Sequence, residues 1–219
     1  MKKRNYVSLY VAITLLIAFV LWTALVSVID VRKIGPQESA VGFASLNQYI
    51  HGLTGVDMTL YTVTDWLGLV PIGVALGFAI FGLAQWIKRK SLAKVDKSIM
   101  ILGGFYIAVM SVYLLFEIVT VNYRPVLIEG ILETSYPSST TMLAMCVMPT
   151  AAMQLNSRIA SRPLKISLTS TITLFTVFMV IGRLMSGVHW FTDIVGGVLV
   201  SAGLVLTYYF FCKLTERHP

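Results

Sequence analysis

Charged side chains are scarce in this sequence. Aspartate, glutamate, lysine and arginine make up 12% of its 219 residues, whereas hydrophobic residues make up 57%. Soluble globular domains carry about 25% charged residues, so this composition excludes an ordinary soluble domain. It predicts instead an all-α integral membrane protein, whose apolar helices face lipid.

Cysteine is also rare, and its spacing excludes a disulfide framework or a cysteine metal site. Cys146 and Cys212 both fall inside apolar runs, where an isolated cysteine acts as a small packing residue. No set of histidine, cysteine, aspartate and glutamate residues has metal-ligand spacing, so we expect neither a metal nor another cofactor. The sequence has no internal repeat and no low-complexity stretch. Residues 1–219 are therefore predicted to form a single membrane-embedded domain.

Six apolar stretches approach the length of about 20 residues that crosses a bilayer as an α-helix. The first has no small-residue cleavage site after it, so we expect it to remain as a membrane helix. The fourth is the shortest, and it contains Pro149. The predicted spans are Tyr6–Ile29, Trp66–Trp86, Ile99–Val121, Thr140–Leu155, Ile166–Val188 and Phe191–Cys212.

Lysine and arginine are unevenly distributed among the segments that connect these spans. Thirteen of the 17 lie in segments 2–4, 88–97, 158–165 and 213–217, all on one side of the predicted membrane. The positive-inside rule then places both termini in the cytoplasm. Topology accounts for the net charge of +7, so the lipid bilayer is an expected partner and nucleic acid is not. On the other side, an amphipathic stretch from Ser39 to Leu53 predicts short outer-surface helices between spans one and two.

A short polar island from Gly182 to Asp193 separates the last two apolar runs. It contains Arg183, His189 and Asp193, and each ionisable group near membrane depth costs about 2.5 to 3.5 kcal/mol. An aspartate four residues after a histidine can hold the imidazole in one tautomer and stabilise its charged forms. The island is therefore a candidate catalytic site. The alternative is a structural ion-pair cluster at a helix hairpin.

Two further polar clusters fall on the same predicted side of the membrane. Arg124 follows the third span, and Ser138 and Ser139 precede the fourth. Arginine guanidinium groups match the oxygens of a phosphate, and backbone N–H groups at a helix start bind anions. With His189 as nucleophile or base, the three clusters together predict phosphoryl transfer. Taken alone, Arg124 could be an interface anchor, and the two serines could be plain helix caps.

These residues resemble the motifs of the type 2 phosphatidic acid phosphatase family, integral membrane lipid phosphatases related to vanadium haloperoxidases. That family has a lysine seven residues before Arg-Pro, a Pro-Ser-Gly-His segment, and Ser-Arg followed by five residues, His, three residues and Asp. The third motif is nearly intact, because Arg183, His189 and Asp193 keep its spacing and only the serine is changed, to Gly182. Arg124-Pro125 matches the end of the first motif. The order of the motifs and the six-span outline also agree over most of the chain.

The resemblance implies a membrane lipid phosphatase or diphosphatase, multi-pass in the cell membrane, with its site on the extracytoplasmic face. Its substrate would be a membrane lipid phosphate of the polyprenyl diphosphate or phosphatidate type. His189 would attack phosphorus and form a phosphohistidine that water later cleaves, and Asp193 would orient the imidazole. Binding the phosphate and its transition-state charge usually supplies the largest catalytic effect. The residues that the resemblance assigns to this binding are Arg124, Arg183, Ser138 and Ser139.

Besides Gly182, three positions depart from the family motifs. Glu117 stands where the family has lysine, Ser139 where it has glycine and Thr140 where it has histidine. In the family that histidine protonates the leaving oxygen, and the loss of a general acid costs about 10²- to 10⁴-fold in rate. A phosphate that leaves from a diphosphate needs this proton much less than an alkoxide does. We therefore hypothesise that the substrate is a lipid diphosphate, such as a polyprenyl diphosphate, or that another residue supplies the proton.

Glu117 and His51 are the auxiliary candidates for that proton donor. Glu117 lies two helical turns before Arg124, so its simpler role is to hold the arginine in place, and the alternative is a catalytic acid with a raised pKa. His51 could instead be a lid contact or an ordinary interfacial histidine, and His218 is expected to be uninvolved. Three further possible donors flank the second motif, namely Glu129, Glu133 and Tyr136.

Two other functions stay open at this point. A lipid phosphotransferase would use the same phosphohistidine but pass the phosphoryl group to an acceptor other than water. A non-catalytic, lipid-binding relative would have lost the chemistry along with the second motif. The presence of three ionisable residues in the polar island favours an enzyme, because such groups are costly in a membrane chain.

Overall fold

Long α-helices make up most of the structure, a computed structural model that describes residues 2–215. Two two-residue strands, Arg32–Lys33 and Ala40–Val41, form a small antiparallel hairpin after the first helix. The helices in the described residues are α1 (Lys2–Val28), α2 (Ala44–Thr54), α3 (Met58–Leu67), α4 (Leu69–Arg89), α5 (Lys97–Ile118), α6 (Ser139–Asn156), α7 (Arg162–Met185) and α8 (Phe191–Thr215).

Several of these helices are suited to a bilayer. Within the described residues, 5 helical stretches are long and apolar enough to cross a membrane, which makes this an all-helical, multi-pass membrane protein. They are Tyr6–Val28, Met58–Arg89, Lys97–Ile118, Arg162–Met185 and Phe191–Thr215. The predicted fourth span, Thr140–Leu155, corresponds to α6 and is not among them. The six-span count, the cytoplasmic termini and the outer-surface position of α2 and α3 stay predictions.

Helix α6 lies inside the bundle, in contact with α4, α5, α7 and α8. Ten of its 18 residues are buried, whereas α4 buries only Pro71 and Gln85 among 21. Polar side chains of α6 can find partners on the helices around it, as when Gln154 Nε2 donates to the Ser98 carbonyl oxygen at 3.1 Å. A helix enclosed by protein does not need the apolar surface that lipid demands, which explains its more polar sequence.

An aromatic cluster fixes the chain just before α6. Helix α1 packs along α8, and Phe19 of α1 stacks on Tyr136, whose ring also meets Phe116 of α5 edge to face. The Tyr136 hydroxyl lies 2.7 Å from Thr23 Oγ1. On α8, a Cβ at Gly196 would stand 2.7 Å from the Tyr136 ring, so this close packing requires glycine. Tyr136 is therefore held by three helices at once.

Candidate active site

The segment 119–138 between α5 and α6 folds back on itself and presents Arg124. Tyr123 and Thr134 form an isolated antiparallel bridge, and Arg124 N donates to the Glu133 carbonyl oxygen at 3.0 Å. This pairing brings the two side chains together, and Arg124 Nε lies 2.9 Å from the Glu133 carboxylate. The Arg124 side chain is largely buried, so it is held in one place within the protein.

Glu117 does not hold Arg124, and the expectation of a helical pair is wrong. Helix α5 ends at Ile118, so the chain leaves helical geometry before Arg124 and the two residues share no helical face. The Glu117 carboxylate accepts a hydrogen bond from Thr134 Oγ1 at 3.5 Å and remains exposed. Glu133, one of several possible proton donors that the sequence left unranked, is the partner of Arg124.

His189 lies in a tight turn between α7 and α8, and the connection between α2 and α3 packs against this turn. Gly187 has a φ of +67°, and a Cβ there would stand 1.9 Å from the Gly55 carbonyl oxygen, so no other residue fits. Asp57 N donates to the Ser186 carbonyl oxygen at 3.0 Å. The turn that carries His189 is therefore fixed by a segment more than a hundred residues away in sequence.

His51 supports this turn from α2. Its Nε2 atom lies 3.1 Å from the Gly187 carbonyl oxygen, and its ring centroid lies 5.4 Å from that of Trp190. It does not line the cavity that contains His189. The structure thus gives His51 a supporting contact with the turn that carries His189.

The hydrogen bonds around His189 determine which of its ring nitrogens carries the proton. Nδ1 lies 3.2 Å from the Ser135 carbonyl oxygen, which can only accept, so Nδ1 carries the hydrogen. The lone pair is then on Nε2. Arg124 Nη1 and Arg183 Nη2 each lie 3.3 Å from this Nε2 atom. Two guanidinium groups that converge on one lone pair leave a position where a phosphate could meet both arginines and the nitrogen.

Asp193 lies in the first turn of α8 and is completely buried. Its Oδ2 atom accepts from Trp190 N at 2.9 Å, the arrangement in which the third helical residue caps the first turn. Oδ1 accepts from Asn122 Nδ2 at 3.1 Å. Asp193 Oδ2 is 3.8 Å from His189 Nδ1, beyond hydrogen-bond distance but close enough for a strong charge interaction. The carboxylate thus anchors the turn and lies next to the imidazole, while the backbone of Ser135 makes the hydrogen bond predicted for it.

Arg183 lies in the last turn of α7, and its side chain contacts several residues of α3. Its side chain is 1% exposed, and Nη1 lies 3.6 Å from Asp65 Oδ1 and 3.4 Å from Thr64 Oγ1. The guanidinium carbon lies 5.0 Å from the centre of the Tyr61 ring, in cation–π geometry. These contacts offset the desolvation of a buried cation. These contacts of Arg183 could not be predicted from the sequence. The one available signal is that the polar residues of the apolar segment 58–67 lie on the helical face that contacts Arg183.

The start of α6 lies at the same site. Ser138 is the residue before the helix, and its N–H donates to the Asp193 carbonyl oxygen at 3.1 Å. Its hydroxyl makes no capping bond, is fully buried and has no hydrogen-bond partner. Ser139 lines the cavity that contains His189, whereas Thr140 does not and packs towards Gly68. A buried hydroxyl without a partner at a helix start is consistent with an anion site, because such groups are rarely left unpaired.

A cavity of about 490 Å³ opens next to His189. The residues that line it include Arg124, Ser139, Glu117 and Glu133. Within residues 2–215, no group of three or more histidine, cysteine, aspartate and glutamate side chains could hold a metal ion. The cavity is therefore bordered by Arg124 and His189, with Glu133 paired to Arg124, and by the separate carboxylate of Glu117.

The environment of His189 disfavours its protonated form. Burial lowers its pKa well below the ordinary value, and the charges of Arg124 and Arg183 lower it further, whereas the hydrogen bond to Ser135 opposes the shift. At neutral pH the imidazole is therefore neutral with its lone pair available, which is the state that a nucleophile requires. Arg217 and His218 lie outside the described residues.

One protein-family model matches the region of the chain that contains the candidate site. The family model described as the PAP2 superfamily matches residues 117–216, which include every predicted site residue except His51. The resemblance to the type 2 phosphatidic acid phosphatases is therefore confirmed. No curated protein sequence matches the chain.

A solved structure shows the same fold over nearly the whole chain. It is the crystal structure of the first transmembrane PAP2 type phosphatidylglycerolphosphate phosphatase from Bacillus subtilis. The two proteins are 21% identical, and the match covers 96% of this chain and 98% of that one with a TM-score of 0.58. At this identity the similarity establishes a shared fold.

Proposed function

With residues 117–216 matching the PAP2 superfamily, we propose that this protein is a membrane lipid phosphatase with His189 as its nucleophile. One observation carries the proposal. Arg124 Nη1 and Arg183 Nη2 each lie 3.3 Å from His189 Nε2, beside a cavity large enough for a lipid headgroup. Two permanent cations around a neutral, unprotonated ring nitrogen form a site for an anion that this nitrogen can attack.

In the proposed reaction, the lone pair of His189 Nε2 forms a bond to phosphorus as the bond from phosphorus to the lipid oxygen breaks. The electron pair of the broken bond goes to the lipid oxygen, which then takes a proton. Arg124 and Arg183 stabilise the charge on the phosphoryl oxygens, with the N–H groups at the start of α6 and the Ser138 hydroxyl as further donors. Water then attacks the phosphohistidine, releases inorganic phosphate and restores the imidazole.

The nature of the leaving group determines how strongly the rate should fall when position 140 holds threonine in place of histidine. A diphosphate substrate such as a polyprenyl diphosphate releases a phosphate that is stable as an anion, so it would react without the missing histidine. A monophosphate ester releases an alkoxide and needs a proton from water or from a cavity carboxyl group. The distribution of lysine and arginine supports a site on the extracytoplasmic face.

Phosphate release from a panel of lipid mono- and diphosphates, in detergent with chelator present, tests the proposal. We expect wild-type protein to release phosphate and His189→Ala to lose at least about 10³-fold in rate, since the nucleophile is removed. His218→Ala is the matched control and should retain full activity. A phosphorylated acceptor in place of free phosphate would indicate a transferase. No release from any lipid by wild-type protein, or equal release by His189→Ala, would contradict the proposal.

A further inference from the structure

The cavity beside His189 has an unexpected charge distribution. Among its lining residues the only lysine or arginine is Arg124, whereas two are glutamates, Glu117 and Glu133. Glu133 is already paired with Arg124 at 2.9 Å. Glu117 has no ion-pair partner among the described residues, and the hydrogen bonds it makes there are with neutral hydroxyl groups, those of Thr134 at 3.5 Å and of Tyr113. The negative charge at Glu117 is therefore uncompensated by the protein.

The position of Glu117 relates it to the departing part of the substrate. The phosphate end of the cavity is defined by Arg124 and His189, and Glu117 borders the same cavity from the last turn of α5. Glu117 is itself exposed, and the next residue, Ile118, is 83% exposed, so this end of α5 lies at the outer surface of the protein. A lipid whose phosphate reaches His189 from that surface would pass its headgroup across Glu117.

This arrangement discriminates between lipid classes. The second phosphate of a lipid diphosphate would meet the unpaired carboxylate of Glu117 and be repelled. A positively charged amine next to the phosphate would find in Glu117 the counter-charge that the cavity otherwise lacks. The charge of the cavity therefore opposes the diphosphate preference inferred from Thr140.

We infer that Glu117 selects lipid monophosphates that carry a protonated amine within a few bonds of the phosphate. This inference rests on the proposed phosphatase function and names the substrate class of that same site. Glu117 binds the amine, and His189 attacks the phosphate. The amine also lies near the departing oxygen, where its positive charge stabilises the alkoxide that forms without a histidine at position 140.

Four synthetic lipids with one chain length test this inference: hexadecyl phosphate, 2-aminohexadecyl phosphate, its N-acetyl derivative and hexadecyl diphosphate. Acetylation removes the positive charge and keeps the rest of the molecule. We expect wild-type kcat/KM to be about 2- to 5-fold higher for the amine than for its acetylated form, the range of an exposed ion pair. Glu117→Gln should abolish this ratio, and Glu117→Lys should shift the preference to the diphosphate. Glu38→Gln, an exposed carboxylate on the small hairpin, is the matched control and should keep the wild-type ratio.

Equilibrium binding of the same lipids to the His189→Ala variant, with and without Glu117→Gln, separates the inference from the proposed function. Binding requires no turnover, so it reports on Glu117 even if no lipid releases phosphate. Thermal unfolding of each variant checks that the exposed substitution leaves the fold intact. Equal binding of the amine and its acetylated form, or an equal loss for all four lipids in Glu117→Gln, would overturn the inference.

Discussion

Substitution of Asp193 by asparagine removes a buried negative charge beside His189 and preserves the size of the side chain. The carboxylate lies 3.8 Å from His189 Nδ1. At an effective dielectric constant of about 20, opposite unit charges at this separation attract by about 4 kcal/mol. In the proposed reaction the imidazole becomes positive as the bond to phosphorus forms. Loss of the carboxylate is therefore expected to lower kcat by up to about 10³-fold.

The same substitution is expected to destabilise the fold by a smaller amount. Asp193 accepts one hydrogen bond from Trp190 N and another from Asn122 Nδ2. An asparagine would turn an N–H donor towards one of these donors, and such a buried mismatch costs about 1 to 3 kcal/mol. Substrate binding should change less than kcat, because the Ser135 carbonyl oxygen continues to hold the imidazole tautomer.

Initial rates of phosphate release at saturating lipid, measured beside thermal unfolding, separate the two effects. Asn122→Ala is the control, because it removes a hydrogen bond to the same carboxylate and leaves the charge in place. It should lower the unfolding temperature without a comparable loss in kcat. The electrostatic reasoning would be refuted if folded Asp193→Asn kept more than about a tenth of wild-type kcat, or if the control lost as much activity.

Three further predictions concern protonation and close packing. Because burial and two arginine charges lower the pKa of His189, loss of activity from its protonation should occur only below about pH 6.5. In the same pH range the imidazole of the unfolded chain binds a proton that the native site excludes. The free energy of unfolding should therefore fall as the pH falls. A pH–rate profile and denaturant unfolding at each pH measure both. Gly196→Ala should lose about 1 to 3 kcal/mol of stability because its Cβ would stand 2.7 Å from the Tyr136 ring, whereas Gly77→Ala, with open space around it, should lose none. Gly187→Ala should reduce phosphate release at least about tenfold in a protein that still folds, since its φ of +67° and its contact with the α2–α3 connection shape the turn that carries His189.

The polar island shows how much of the site could be predicted from residue order. The spacing of Arg183, His189 and Asp193 predicts a site, as does the free-energy cost of placing ionisable groups in an apolar chain. The structure places all three together and adds Arg124, as the motif order implied. Their catalytic and phosphate-binding roles stay predictions.

The partners of the arginines could not be predicted in the same way. Glu117 was assigned to Arg124 because seven residues make two helical turns, but the helix ends at Ile118 and the chain returns through a loop bridge to Glu133. Element boundaries are uncertain from sequence by a few residues, and here a few residues decided which carboxylate pairs. No local sequence pattern predicts that Glu133 lies next to Arg124, which is nine positions earlier in the chain.

The class of protein and the chemical groups at its centre could be predicted from the order of residues alone. Long apolar runs can satisfy their backbone in lipid only as helices, and motif spacing identified the histidine and the two arginines. The surroundings of those groups follow from the folded structure: α3 packs against Arg183, the Ser135 carbonyl oxygen lies against His189, and Glu117 borders the cavity. These contacts join residues that are distant along the chain. They depend on how the helices pack against one another, which local composition and periodicity do not specify.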